Sequence, residues 1–300
     1  MQEIIKQIKE LKEKKNALIL AHNYQAIEIQ EVADYRGDSL QLAMLSRDLK
    51  SPMIAFCGVK FMAETAAILN PKSRVLLPVL DAGCPMADMI SAEQLREFKA
   101  QYPGSPVVCY VNSTVEVKAE SDICCTSSNA VKVLQSLPAD KEILFVPDRN
   151  LGSWAAAQSG RKVIPWNGYC PTHQWGFGAQ DITNMRAKYP EYTLLAHPEC
   201  DPAIVSLADE VMSTGGMMKY VAEHDRVIIA TENGMTDYLK HIYPHKKILS
   251  LSPKAVCQNM KKTGIRDLLR ALQEETHHIV VEEDIAAKAR LSIDRMLALS

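Results

Sequence analysis

Two rhythms of apolar and polar residues alternate along this chain. From Ile4 to Leu11 the apolar positions Ile4, Ile5, Ile8 and Leu11 recur with a helical period, and charged residues fill the spaces between them. The pattern predicts a surface helix. It gives way at Ala17 to "ALILAH", a continuous apolar run of strand length. The same succession returns twice. "AEQLREFKAQYPGSPVVCYVN" from Ala92 and "AQDITNMRAKYPEYTLLAHPE" from Ala179 each read as an amphipathic helix, a Tyr-Pro stop and a short strand. Ala92 and Ala179, Ala100 and Ala187, Tyr102 and Tyr189, and Pro103 and Pro190 are all 87 residues apart.

The register extends well beyond these segments. The three strands end in His22-Asn23-Tyr24, Tyr110-Val111-Asn112 and His197-Pro198-Glu199. A second set follows, in which Asp34, Asp122 and Asp209 each stand five residues before Ser39, Ser127 and Thr214. Apolar runs come next ("MIAFCGV", "EILFVPD", "RVIIATE"), followed by "RVLLPV", "KVIPW" and "KILSLS". Each round closes on a cysteine: Cys84, Cys170 and Cys257, spaced by 86 and 87 residues. A period of this size marks an internal repeat. Strands alternating with helical patterns imply β-α-β units and a parallel sheet. We therefore expect three like α/β units, at 1–83, 84–169 and 170–257. A tail over 258–300, reading helix, strand ("HHIVV") and helix, is expected to pack back on the first unit. Ligands of open α/β sheets gather at the carboxyl ends of the strands. Units packed about a pseudo-threefold axis would bring all three residue sets to one central cavity.

Composition narrows the setting. The chain is 47% apolar and 23% charged, ordinary for a globular protein. A net charge of -2 argues against a nucleic-acid surface. The charged first residues are unlike a signal peptide, and no apolar run is long enough to span a membrane, so a cytoplasmic location is expected. There is no G-x-G-x-x-G, Walker A or H-E-x-x-H motif. "PDRN" at 147–150 reads as a turn with a charged surface pair.

Eight cysteines remain to be explained. No C-x-x-C pair is present. Cys57, Cys109, Cys124, Cys125 and Cys200 have no partner at the repeat interval and read as small buried residues. Cys84, Cys170 and Cys257 do have partners. Gly83 and Pro85 flank the first, and Gly168 and Pro171 lie beside the second, so these cysteines sit in loops. Structural zinc would want a fourth ligand, which His173 could supply although neither other repeat has its counterpart. Three thiolates from three loops more naturally hold a [4Fe–4S] cluster with one iron open, a Lewis acid suited to removing a hydroxyl. Ser39, Ser127 and Thr214 are expected to cap the helices that follow, giving anion sites. His22 and His197 can donate to phosphate or carboxylate. Glu199, Tyr24 and Tyr110 are the acid–base candidates. Two other readings stand beside this one: a zinc-stabilised three-repeat ligand sensor, and a cluster-free aldolase using Lys60 or Lys219 as a Schiff base.

The ordered motifs "LAHNYQ", "GDSLQLA", "FMAETAAILNP", "CPMAD", "YVNST", "TSSNAV", "PDRNLG", "YCPTHQ", "AHPEC", "STGGM" and "VCQNMK" resemble the quinolinate synthase family from about residue 16 to 264. The resemblance implies three αβα domains about a pseudo-threefold axis, with a central [4Fe–4S] cluster on Cys84, Cys170 and Cys257. It implies condensation of iminoaspartate with dihydroxyacetone phosphate to quinolinate, with loss of phosphate and water, in NAD biosynthesis. An enzyme that produces iminoaspartate would be the partner in any hand-off. The family's site residues fall on His22, Tyr24, Ser39, Tyr110, Asn112, Ser127, His173, His197, Glu199, Ser213 and Thr214, with Glu199 as candidate base and the tyrosines relaying protons. Some members carry C-x-x-C-x-x-C at the third ligand. Here Met260 and Thr263 occupy those positions, so no redox disulfide is expected there.

Overall fold

The fold was described from a computed structural model covering residues 1–300. Its strands form three separate four-stranded sheets, all parallel. The first holds β1 (Ala17–His22), β2 (Tyr35–Gly37), β3 (Met53–Cys57) and β4 (Arg74–Leu76). The second holds β5 (Val107–Tyr110), β6 (Ile123–Cys125), β7 (Ile143–Val146) and β8 (Val163–Pro165). The third holds β9 (Thr193–Ala196), β10 (Glu210–Val211), β11 (Arg226–Ala230) and β12 (Lys247–Ser250). Strand order is the same in each: β2-β1-β3-β4, β6-β5-β7-β8 and β10-β9-β11-β12. In each sheet the chain leaves the founding strand toward one side and returns on the other. A crevice opens at the carboxyl end of β1, β5 or β9, where ligands of such sheets bind.

The apolar runs are continuous because helices cover both faces of these sheets. Every residue of β3, β5 and β7 is buried. The Tyr-Pro stops act as read: the helices Ala92–Gln101 and Ala179–Lys188 end with Tyr102 and Tyr189 as C-caps. The residue before a proline is crowded out of helical geometry.

The Asp34, Asp122 and Asp209 set is a structural clasp. Each carboxylate accepts the backbone N–H of the residue fifteen before it, at the head of the founding strand: Ile19 at 2.8 Å, Val107 at 2.8 Å and Leu194 at 2.7 Å. The backbone N–H of each aspartate donates back to the carbonyl of the same residue. The loop after each founding strand is thereby tied to that strand's start.

One apolar core of 53 buried residues takes members from all three units, including Leu20, Phe145 and Ile229. Two smaller clusters lie on the outer faces of the first and third sheets. The inward faces of the units therefore share one interior.

The tail departs from expectation in two ways. The helix Ile265–Glu274 packs on the first helix, Gln2–Lys15, but the helix Glu283–Ala298 lies chiefly on Val115–Ala119 and β6 of the second unit. Ser292, buried in that last helix, bonds Lys118 O and Cys124 Sγ, so its apolar face belongs to the junction of two units. "HHIVV" forms no strand. His277 adopts a left-handed φ of 61°, and one antiparallel bridge, Leu76 to His278, is all that pairs. No helix is long and apolar enough to cross a membrane.

Candidate active site at the meeting of three units

The carboxyl ends of the founding strands converge on one central cavity. Its lining includes His22, Tyr24 and Ser39 from the first unit and Tyr110, Asn112 and Ser127 from the second. His173, His197, Glu199 and Thr214 line it too, and Cys84, Cys170 and Cys257 complete it. Of the site residues that the family resemblance implies, Ser213 alone is absent from the lining.

The hydroxyl set does not cap helices as expected. Asp38 and Ser213 do so, accepting the N–H of Gln41 at 2.9 Å and of Gly216 at 3.2 Å. The second-unit helix Ala130–Ser136 begins after Asn129 with no side-chain cap. Neighbours serve two of the helix ends and no side chain serves the third, so Ser39, Ser127 and Thr214 keep their hydroxyls for the cavity. Ser127 Oγ lies 3.1 Å from His197 Nε2, and Thr214 Oγ1 accepts from Asn23 at 3.2 Å. Ser128 bridges the units beside them, donating to Asp38 Oδ2 at 2.7 Å and lying 2.8 Å from Ser213 Oγ.

A hydrogen-bonded chain crosses the centre. Tyr110 Oη donates to Glu199 Oε1 at 2.5 Å, and His173 Nδ1 lies 2.8 Å from Glu199 Oε2. His173 Nε2 is 2.8 Å from Thr231 Oγ1, which is 2.7 Å from Tyr24 Oη. Three side chains thus link one tyrosine to the other. Glu199 is only 3% exposed and His173 only 1%. Burial alone would raise the Glu199 carboxyl, but the His173 and His197 imidazoles and the Tyr110 hydroxyl overcome it and bring the pKa down to about 2. Burial lowers His22 and His197 to about 3, so both are neutral near pH 7. Burial, followed by the Glu199 charge, pushes both tyrosines up.

The three registered cysteines are free and half-buried. Burial pushes the Cys84 thiol up to about 12 and raises Cys170 and Cys257. The Glu199 carboxylate pushes Cys84 and Cys170 the same way, and the Glu232 carboxylate does so for Cys257. Cys170, His173 and Glu199 are the only three metal-ligating side chains whose donor atoms all lie within 4.8 Å. The three cysteine sulfurs are therefore spread too widely for one ion, as a polynuclear group requires. Free thiols and wide spacing both fit a cluster.

Several residues were not legible in the sequence. Glu232, fully buried at the end of β11, accepts the N–H of Gly234 at 2.7 Å and of Cys257 at 3.1 Å, and pairs with Lys261 at 3.1 Å. Lys261 in turn donates to the Tyr24 carbonyl, tying the Cys257 loop to the first unit. A Cβ on Gly234 would fall 2.5 Å from that carbonyl, so the approach requires glycine. Thr231 is the link between His173 and Tyr24. Their one sequence signal was position, just beyond the apolar run "RVIIA". "PDRN" is not a surface pair: Asp148 is wholly buried and caps the helix Arg149–Ser159 through Asn150 and Leu151. The other five cysteines are buried, as read. Lys219 is exposed and Lys60 pairs with Glu64 at the surface; neither lines the cavity. A Schiff-base role has no support there.

Three repeated α/β units enclosing one cavity rich in acid–base groups and thiols define an enzyme with a shared, axial site. The sequence model for the quinolinate synthetase A protein family matches residues 6–298. The chain is 52% identical over 295 residues to a quinolinate synthase of Dehalococcoides mccartyi, covering 98% of this chain and 97% of the relative. It is 50% identical to those of Alkaliphilus metalliredigens (99% and 98% covered) and Methanoregula boonei (98% and 97%). The chain belongs to the quinolinate synthetase A family.

Proposed function

We propose that this chain makes quinolinate for NAD biosynthesis by condensing iminoaspartate with dihydroxyacetone phosphate, with loss of phosphate and water. The observation that carries the reading is convergence: strand-end residues of all three units and the three registered cysteines line one cavity. We place the unit limits at 1–83, 84–169 and 170–257, each ending at or beside one of these cysteines.

Cys84, Cys170 and Cys257 would hold a [4Fe–4S] cluster. With three protein ligands the bound cluster offers one open iron, a Lewis acid for a leaving hydroxyl. The remaining chemistry falls to side chains. The substrates carry two carboxylates and a phosphate. The hydroxyls of Ser39, Ser127 and Thr214 and the ring of His22 can donate to them, His197 Nε2 holds the Ser127 oxygen, and Asn112 reaches the same space. Glu199 is ionised and already accepts from Tyr110. A proton leaving substrate carbon passes to the Tyr110 oxygen as the Tyr110 proton moves to Glu199. His173, Thr231 and Tyr24 continue the relay, so the proton can re-emerge at Tyr24 for the leaving group. Burial of the whole chain keeps bulk water from short-circuiting it.

Anaerobic purification tests the assignment. About four irons per chain and quinolinate formation are expected, and Cys170→Ser should lose both. A colourless zinc-bearing chain without turnover would overturn it. Full turnover in Glu199→Gln would remove Glu199 from the relay.

A further inference from the structure

One compact donor set coincides with only one of the three registered cysteines. Cys170 Sγ lies 3.1 Å from His173 Nδ1, which is 2.8 Å from Glu199 Oε2, and all three atoms fall within 4.8 Å. Sulfur, imidazole nitrogen and carboxylate oxygen are the donors zinc takes. A tetrahedral ion with bonds of roughly 2.0–2.3 Å holds its ligands about 3.5 Å apart, so the set must open by about half an ångström. Cys170 and His173 share one short stretch, with Cys170 the N-cap of the helix that carries His173. The far ring nitrogen is already placed. His173 Nε2 faces Thr231 Oγ1 at 2.8 Å, the partner that fixes the tautomer of a metal-bound imidazole.

We propose that the cluster-free chain binds a single zinc ion between Cys170, His173 and Glu199, and that this ion and the cluster exclude each other. Binding takes the proton from Cys170, while with Nδ1 on the ion the His173 proton sits on Nε2, where Thr231 accepts it, so about one proton is released per ion. Zinc would take a thiolate that the cluster needs and both ends of the Glu199–His173 contact. It would leave the site without the cluster and without its relay. Only the exclusion clause rests on the proposed function.

The test uses the full chain stripped of metal. Zinc is titrated against a chromophoric chelator, and cobalt(II) serves as the spectroscopic probe. One tight site per chain with a thiolate-to-cobalt absorption band is expected. Cys170→Ser should abolish the band and weaken zinc at least about 100-fold, and Thr231→Val should weaken it about 10-fold. Cys84→Ser and Cys257→Ser should leave affinity and band unchanged. These last two separate the proposal from a triple-cysteine zinc site, and melting curves of each stripped variant confirm that the fold persists. The proposal is overturned if no zinc binds, if well-folded Cys170→Ser keeps its affinity, or if Cys84→Ser loses it. Zinc-loaded chain should resist reconstitution with iron and sulfide. If metal-free chain takes no cluster either, the proposed function fails while the zinc result stands.

Discussion

Replacing Glu232 by glutamine probes the joint between the third cysteine and the first unit. The carboxylate is fully buried and serves three donors: the Gly234 and Cys257 amides and the Lys261 ammonium. Glutamine keeps the volume but not the charge, and its NH₂ group turns a donor toward at least one of the three. The Lys261 ammonium is left with the Tyr24 carbonyl alone. Breaking a buried pair from one side costs about 3–5 kcal/mol. The Lys261 side chain is 28% exposed, so water offsets part of this, and about 2–3 kcal/mol is expected. Unfolding entropy of about 2.1 cal/mol/K per residue makes about 0.6 kcal/mol per degree for this chain, a fall of roughly 3–5 °C in Tm. Lys261→Met should cost less, because burial already pushes the Glu232 carboxyl upward and protonation can neutralise it. The double variant should be more stable than the two losses added together, by at least about 1 kcal/mol. Calorimetry on the cluster-free chain measures all four corners of the cycle. A Glu232→Gln protein melting within a degree of the parent, or strictly additive single changes, would refute the reasoning.

Other consequences are equally open to measurement. His22 is pulled from the usual 6.5 to about 3 by burial, so the unfolded chain binds a proton that the folded one refuses. Its contribution is complete above pH 6.5 and drains as pH falls toward 3; at pH 5 about 2 kcal/mol is gone. His22→Gln should narrow its stability gap to the parent by that amount between pH 7 and 5, and parallel denaturation curves would contradict this. Asp122→Ala frees the Val107 amide, which should cost about 1–2 kcal/mol and speed its hydrogen exchange, whereas Asp140→Ala on an exposed loop should do neither. Thr231→Val interrupts the relay without changing its shape. It should lower kcat about 100-fold with little change in KM; a KM effect alone would make Thr231 a binding residue.

Much of this architecture was legible because the repeat multiplied weak signals. One serine after one strand is ambiguous, but Ser39, Ser127 and Thr214 in register pointed to a shared centre before any coordinates existed. The same register misled about their task. Their neighbours Asp38 and Ser213 cap the helices, and nothing in the spacing separates a cap from the residue after it. Asp34, Asp122 and Asp209 stood in register for a reason of folding, not chemistry. Glu232 and Asp148 were hidden for the opposite reason. Equivalent strand ends carry Val59, Asp148 and Glu232, so divergence among the copies erased the pattern where two of them gained buried carboxylates. Helix Glu283–Ala298 lay beyond the repeats, where apolar periodicity shows a face but not its partner.

The interior shared by the three units has a thermodynamic corollary. No unit by itself supplies the whole lining of the central cavity, both of its tyrosines or all three registered thiols. An intermediate with one unit undocked lacks part of the lining that the substrates would meet, whatever the state of its own sheet. Ligand free energy therefore acts on the docking equilibrium and leaves the intrinsic stability of each unit untouched. Occupancy of the centre becomes a gauge of assembly: a chain that holds its ligand has all three pieces in place at once.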